Sequence, residues 1–308
     1  MQFFKKTNFD FLRPRKFMYA LSAAVIVAGM LSLVVKGIDF GIDFLGGTEL
    51  VIEFDGKPEI GEIRDALATV GLAQSEIKAY GLGETVLIRT VEQAEGTVIG
   101  DQIKSAIGSR FPDRTFSVLS EHKIGPKIGE ELRKDAVWAV VASLIVILLY
   151  IGFRFKFIYG FGAVVALFHD VLVALSVLSL VDGVFPWLNV EITQEVVAAF
   201  LTLVGISVND TVVVFDRIRE NVKIYRTMTL AEVINRSLND TLSRTIITQG
   251  TVLLVLVVLL LAGGEVTRGF AFTLTIGTIA GTYSSIYIAS AIVVDWNLRK
   301  AKAAVRTK

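Results

Sequence analysis

The sequence predicts an α-helical polytopic membrane protein of six transmembrane helices, with one small α+β domain between the first helix and the second. Two observations carry that reading. Apolar residues make up 53% of the 308 and there are only 5 prolines, the mean hydropathy is +0.62, and the apolar residues collect into six uninterrupted runs. Residues 36–135, by contrast, hold 12 Lys and Arg against 18 Asp and Glu, a polar stretch large enough to fold by itself.

The runs are residues 17–35, 136–153, 157–181, 196–215, 246–262 and 269–294. Each is long enough, at about 1.5 Å per residue, to cross a hydrocarbon core of about 30 Å with some tilt. The first has the basic flank of a signal peptide (residues 1–16, with Lys5, Lys6, Arg13, Arg15 and Lys16) but no small-x-small cleavage pattern before Lys36, so it reads as an uncleaved anchor. Orientation follows from Lys and Arg. Five precede the first span, Arg154 and Lys156 join spans two and three, six lie in the loop 216–245, and five lie in 295–308. The loops on the other side, 182–195 and 263–268, hold none and one. Both termini are therefore expected in the cytoplasm, with residues 36–135 in the periplasm.

Within 36–135 the apolar pattern changes period. Leu50, Ile52 and Phe54 alternate as in a strand, and Ile60, Ile63, Leu67 and Val70 recur at helical spacing up to Gly71. Residues 74–80 and 85–90 read as two strands joined by Gly81-Leu82-Gly83. Ile99, Ile103, Ile107 and Phe111 mark a second helix, and residues 115–120 a fourth strand. The order βαββαβ is that of a ferredoxin-like split unit, with two helices on one face of an antiparallel sheet. The other face is then open to a partner or an extended chain; a spacer that binds nothing is the plainer alternative. In the loop 216–245, Thr229-Leu230-Ala231-Glu232 matches a capping box ahead of Val233, Ile234, Leu238 and Leu242, which predicts an interfacial helix leading into span five.

Within the spans the only Asp, Glu, Lys, Arg or His residues are His169, Asp170 and Asp210. A charge near mid-bilayer costs roughly 2.5–3.5 kcal/mol even on insertion scales, so each needs a reason. Asp210, beside Asn209, lies about 8 Å inside the cytoplasmic end of span four at helical rise. Arg244 opens the returning span five, and its side chain can snorkel toward Asp210 as a counter-charge. The chemistry open to such a pair is proton binding and release, because desolvation and a nearby guanidinium act on a carboxyl in opposite directions. The plainer alternatives are a lipid-phosphate anchor for Arg244 and a protonated, hydrogen-bonded Asp210. His169 and Asp170 are further relay candidates, or a polar contact between helices. There is no P-loop, no clustered metal-ligand pattern, no Gly-x-Ser-x-Gly elbow and no cysteine, so neither catalytic chemistry nor a cofactor or metal is expected. Gly277 and Gly281, with Ser284, Ser285 and Ala289, read as close helix packing.

Several of these stretches also resemble a known family. Asn8-Phe9-Asp10-Phe11, Gly41-Ile42-Asp43-Phe44-Leu45-Gly46-Gly47-Thr48, Ile124-Gly125-Pro126-Lys127-Ile128-Gly129, Phe168-His169-Asp170, the block from Val208 to Asn221, and Ser243-Arg244-Thr245 are similar to the SecF members of the SecD/SecF family. That family of bacterial protein export lies in the resistance-nodulation-division superfamily. The resemblance implies an inner-membrane auxiliary subunit of the Sec machinery that, with SecD as heterodimer partner, uses the proton-motive force in late, periplasmic-side steps of translocation. Further implied partners are the SecYEG channel, secretory preproteins, YajC and protons, with no nucleic acid. Asp210 is then the proton-binding carboxylate, with Arg244 as charge partner and Asn209 beside it. SecD is expected as a separate chain, since the sequence begins with a basic segment and holds one six-span half, whose carboxylate-bearing face would be hidden against a pseudo-equivalent partner. The rival classes are a proton-driven small-molecule exporter half of the same superfamily and a non-energised scaffold of the translocase.

Overall fold

The computed structural model describes residues 7–80, 84–92, 94, 97–185, 188 and 190–306. Lys5 and Lys6 of the basic flank, the Gly81-Leu82-Gly83 turn and Lys308 lie outside the described residues. The chain divides into two compact units, one of Met1–Gly37, Val140–Leu180 and Ala198–Lys308, the other of Ile38–Ala139 and Val181–Val197.

The second unit runs α2 (Ile42–Leu45), β1 (Gly47–Phe54), α3 (Ile60–Ala68), β2 (Glu76–Tyr80), β3 (Thr85–Thr90), α4 (Val98–Arg110) and β4 (Phe116–Ile124). The sheet order is β2-β3-β1-β4, all antiparallel, which makes it a ferredoxin-like βαββαβ domain. Alternation along β1 puts Leu50, Ile52 and Phe54 against Ile63 and Leu67 of α3 and Ile103 and Ile107 of α4, all buried. The fourth strand continues to Ile124, beyond the expected end at residue 120. It is an edge strand paired with β1 from Gly47↔Ile124 to Phe54↔Phe116 across an irregularity at Val51/Ile52. Its outer part, Glu121-His122-Lys123, is exposed and shows no apolar alternation to read.

Before β1 the chain turns through Gly46 (φ 72°) and Gly47 (φ 137°). A Cβ on Gly47 would lie 2.3 Å from the Thr90 carbonyl oxygen, so both the backbone angle and the approach of β3 demand glycine. Gly47→Ala is expected to destabilise this unit by about 2 kcal/mol, measured as a lowered thermal midpoint of the detergent-solubilised chain.

The membrane-crossing helices are α1 (Arg15–Lys36), α5 (Pro126–Arg154), α6 (Phe157–Val181), α7 (Gln194–Ile224), α8 (Leu230–Ala262) and a last one built from α9 (Gly264–Ser284), a π-helical turn (Ser285–Ala289) and α10 (Ser290–Arg306). Among the described residues, six helices are long and apolar enough to cross a bilayer. Several exceed their apolar runs. α5 opens at Pro126, where a missing N–H costs nothing, and so includes residues expected in the soluble domain. The interfacial helix expected before span five is continuous with it: Thr229 and Glu232 form both bonds of the capping box, and 33 helical residues follow without a break. Helix propensity carries the backbone on past the hydrocarbon limit, which apolar counting alone cannot see.

Small residues bring these helices together. A Cβ on Gly162 of α6 would lie 2.9 Å from the Ala289 carbonyl oxygen, one on Gly277 would lie 2.6 Å from Leu203, and one on Gly281 3.1 Å from the Ser207 Cβ. The last helix thus packs with its backbone close against α6 and α7. That closeness positions the polar side chains described next.

Candidate functional site

Asp210 is 4% and Asp170 1% exposed. Each sits in a cradle of hydroxyls from neighbouring helices. Thr245 of α8 donates to Asp210 Oδ1 at 3.0 Å and Ser285 of the π-turn to Oδ2 at 2.7 Å, and Gln249, one turn beyond Thr245, is buried as well. Ser207 of α7 and Ser284 of α9 donate to Asp170 Oδ2 at 2.5 and 2.8 Å. His169 Nδ1 lies 2.9 Å from Asp170 Oδ1 and its Nε2 2.8 Å from the Ser22 Oγ of α1. Ser22 in turn contacts the Tyr283 hydroxyl at 3.0 Å, and that hydroxyl donates to the Met18 carbonyl.

Helical spacing explains the convergence. Ser207 and Asp210 are three apart on α7, and Thr245 and Gln249 four apart on α8, so each pair shares a face. Ser284 and Ser285 are neighbours, yet one serves Asp170 and the other Asp210. They stand where the helix widens into its π-turn, in which the Ser290 hydroxyl donates to the Ser285 carbonyl at 2.8 Å; such turns recur at functional sites. Each serine also has a backbone acceptor within reach, Thr282 at 3.0 Å for Ser285 and Gly281 at 3.2 Å for Ser284. A hydroxyl can therefore donate to an ionised acid, or turn to the backbone and accept from a protonated one.

Two expected members stand apart. Arg244 is exposed and forms no ion pair among the described residues; its carbonyl accepts from Thr248. Asn209 is exposed as well. Adjacent helical residues point about 100° apart, so when Thr245 faces Asp210, Arg244 faces outward, and when Asp210 faces inward, Asn209 does not. The chain thus brings Asp210 to two hydroxyls, and His169 to Asp170, while Asp210 and Arg244 form no ion pair with each other. Sequence reasoning missed Ser207, Thr245, Ser284 and Ser285 as partners of the acids. The readable signal was a hydroxyl three residues before the acid on an otherwise apolar helix, whereas the serines of the last helix read as packing.

A second polar cluster lies within the soluble unit. Arg89 of β3 stands opposite both Glu49 of β1 and Glu76 of β2 in register and pairs with them at 2.9 and 3.1 Å. Its guanidinium also pairs with Glu191, whose other oxygen meets Lys78 Nζ at 2.9 Å. Lys78 further pairs with Asp39 and Glu76. The carboxylates Asp39, Glu76 and Glu191 lie close enough to share a cation, and the Lys78 ammonium already bonds all three. Backbone bonds stitch the same loop: Ile192 N–H to the Asp39 carbonyl at 2.8 Å and Gly41 N–H to the Ile192 carbonyl at 2.9 Å. Asp43 accepts from the Gln194 N–H at 2.9 Å, a carboxylate at the first turn of α7. The helix-free face of the sheet, expected to be open, is thus occupied at the Arg89 rung by the segment that leads into α7.

Burial pushes the Glu191 carboxyl up, but Arg89 and Lys78 more than offset this and hold it below its ordinary value. For Asp39 burial wins over Lys78 and the carboxyl is raised. A depressed folded value means that Glu191 contributes stability above its unfolded value of about 4.3, lost as pH falls through the folded one; Asp39 acts with the opposite sign. We expect the protection of β2 and β3 amides against hydrogen exchange, taken relative to the intrinsic rate at each pH, to hold above the unfolded value of about 4.3 and to fall in more acid solution. Glu191→Gln should lose that acid transition.

The comparisons with known proteins agree with this architecture. The family model described as protein export membrane protein SecD/SecF, C-terminal, matches residues 104–299, and the SecD/SecF GG motif matches residues 31–57. The chain is 45% identical over 301 residues to the protein translocase subunit SecF of Rhodothermus marinus, covering 98% of this chain and 97% of that one. It is 40% identical over 296 residues to that of Desulfurispirillum indicum, covering 94% and 92%. Among solved structures it is similar to SecDF, a translocon-associated membrane protein from Thermus thermophilus, with a TM-score of 0.82 and 35% identity over 94% of this chain. A SecDF structure in a super-membrane-facing form gives a TM-score of 0.72, with 35% identity over 99% of this chain. The chain spans only 39% and 41% of the length of those two solved chains. Six apolar helices, one ferredoxin-like domain between the first two and near full-length identity lead to one assignment: the chain is a multi-pass membrane protein that belongs to the SecF branch of the SecD/SecF family of protein export.

Proposed function

We propose that this chain, paired with a SecD partner, uses the proton-motive force of the inner membrane to drive late, periplasmic-side steps of preprotein export through SecYEG, and that Asp210 is the group that binds and releases the proton. The observation that carries this reading is a carboxylate 4% exposed inside an apolar helix, held by two hydroxyls, of which Ser285 can turn to a backbone carbonyl, with no paired cation among the described residues. Both termini are cytoplasmic in this reading, and residues 36–135 periplasmic, by the distribution of Lys and Arg. His169 and Asp170 extend the relay toward Ser22, linked to Asp210 through the adjacent Ser284 and Ser285.

Arg244 keeps its role as charge partner by a different route from direct pairing within the chain. It is exposed on α8, where it meets the partner subunit and approaches Asp210 only in part of the cycle. The chain has no cysteine, so Arg244→Cys supplies a unique thiol, expected to cross-link to SecD. The functional test is export of a periplasmic reporter with and without an uncoupler. In Arg244→Ala the uncoupler should have no effect, and equal sensitivity in wild type and variant would sink the reading. Ser285→Ala removes one charge-assisted bond and should lower gradient-driven export about tenfold, the equivalent of about 1.4 kcal/mol.

A further inference from the structure

Where α5 passes into α6, beside the cytoplasmic extension of α7, lies a cavity of about 460 Å³ with no acidic residue in its lining. Arg154, Lys156, Arg219 and Lys223 surround it, and Tyr159 and Phe215 form its aromatic floor, their rings 5.2 Å apart. Arg154 is paired with Asp216 at 2.8 Å. Lys156, Arg219 and Lys223 are exposed and have no ion-pair partner among the described residues. Glu220, the nearest acid along α7, is turned to Arg217. Arg219 and Lys223 are four residues apart on one helix face, a like-charge spacing that destabilises a helix unless an anion sits between them.

We propose that this cavity is a binding site for the phosphate-bearing headgroup of an anionic phospholipid. Its cations stand at the end of the membrane-crossing helices, the level of lipid phosphates, and basic pockets between helices on that side hold such headgroups. Phe153 and Phe157, 91% and 78% exposed on either side of Lys156, offer apolar walls to acyl chains. An adjoining cavity of about 280 Å³ shares Lys156 and Tyr159 and adds Lys300. Two lobes meeting at one lysine suit a lipid that carries two phosphates. The inference rests on the membrane-spanning reading alone and stands apart from the proton chemistry.

The test is native mass spectrometry of the full chain in mild detergent, titrated with diphosphatidylglycerol, with phosphatidylcholine, and with inorganic phosphate. Wild type should retain diphosphatidylglycerol in preference to phosphatidylcholine, and inorganic phosphate should not displace it. Each cation is worth about fivefold, so the combined Lys156→Gln, Arg219→Gln, Lys223→Gln variant should bind roughly 100-fold more weakly. Lys57→Gln, in the soluble domain, should bind as wild type does. Lys156→Glu alone, at an exposed and unpaired position, keeps the fold and should lose at least about fivefold. Equal affinity in the variants, equal retention of phosphatidylcholine, or displacement by inorganic phosphate would each overturn the proposal.

Discussion

Asp210→Asn is expected to bring export of a periplasmic reporter down to the level of uncoupled wild type, with the chain still folded and inserted. The substitution is nearly isosteric, and the cradle can absorb it. Oδ1 still accepts from Thr245, whose hydroxyl lies 3.0 Å away. The new amide donates where Oδ2 accepted, and the Ser285 hydroxyl turns its proton to the Thr282 carbonyl at 3.0 Å. Removing a desolvated charge in this way leaves stability unchanged or raised by about 1 kcal/mol. Asp210→Leu behaves differently, since it strands the Thr245 hydroxyl at about 1–3 kcal/mol and forces a branched apolar side chain among hydroxyls. The two variants separate loss of proton binding from loss of fold. A scaffold without proton chemistry would tolerate Asp210→Asn without an export defect, and pulse-chase of the reporter distinguishes the outcomes.

Arg89→Leu should be the most destabilising change in the soluble domain, by about 3–5 kcal/mol. Arg89 and Glu191 are 6% and 2% exposed at their side chains. Without the guanidinium, Glu49 and Glu76 face each other across the vacated rung, and Glu191 loses its buried counter-charge while its bond to Lys78 stays. Glu191→Gln leaves Arg89 paired with Glu49 and Glu76 and should cost much less. The expected order, Arg89→Leu well below Glu191→Gln in thermal midpoint, is read from calorimetry of the solubilised chain; equal midpoints would contradict the network account. Because the same loop leads into α7, the helix of Asp210, Arg89→Leu should also impair export.

The fold was legible because its signals are local. Leu50, Ile52 and Phe54 alternate, Ile103 and Ile107 repeat at helical spacing, and Thr229 with Glu232 spells a cap, each recorded within a few residues. Asp210 and Asp170 were legible because a carboxyl among apolar residues demands an explanation. Their partners were not, because Ser284 and Ser285 look like any small residues of a packed helix until α6 and α7 each place an acid opposite them. Thr245 went unread beside Arg244 because of helical phase: one residue is 100° of rotation, and charge complementarity carries no phase. The Glu191 clamp joins a loop to strands about a hundred positions earlier in the chain, a pairing no local pattern records.

Proton movement is the most direct test of the role given to Asp210. The chain, co-reconstituted with its SecD partner into vesicles that hold a pH-sensitive dye, should pass protons down an imposed gradient, and the Asp210→Asn complex should not, at equal protein content and equal SecD association. Proton entry at the same rate in both would contradict Asp210 as the proton-binding group.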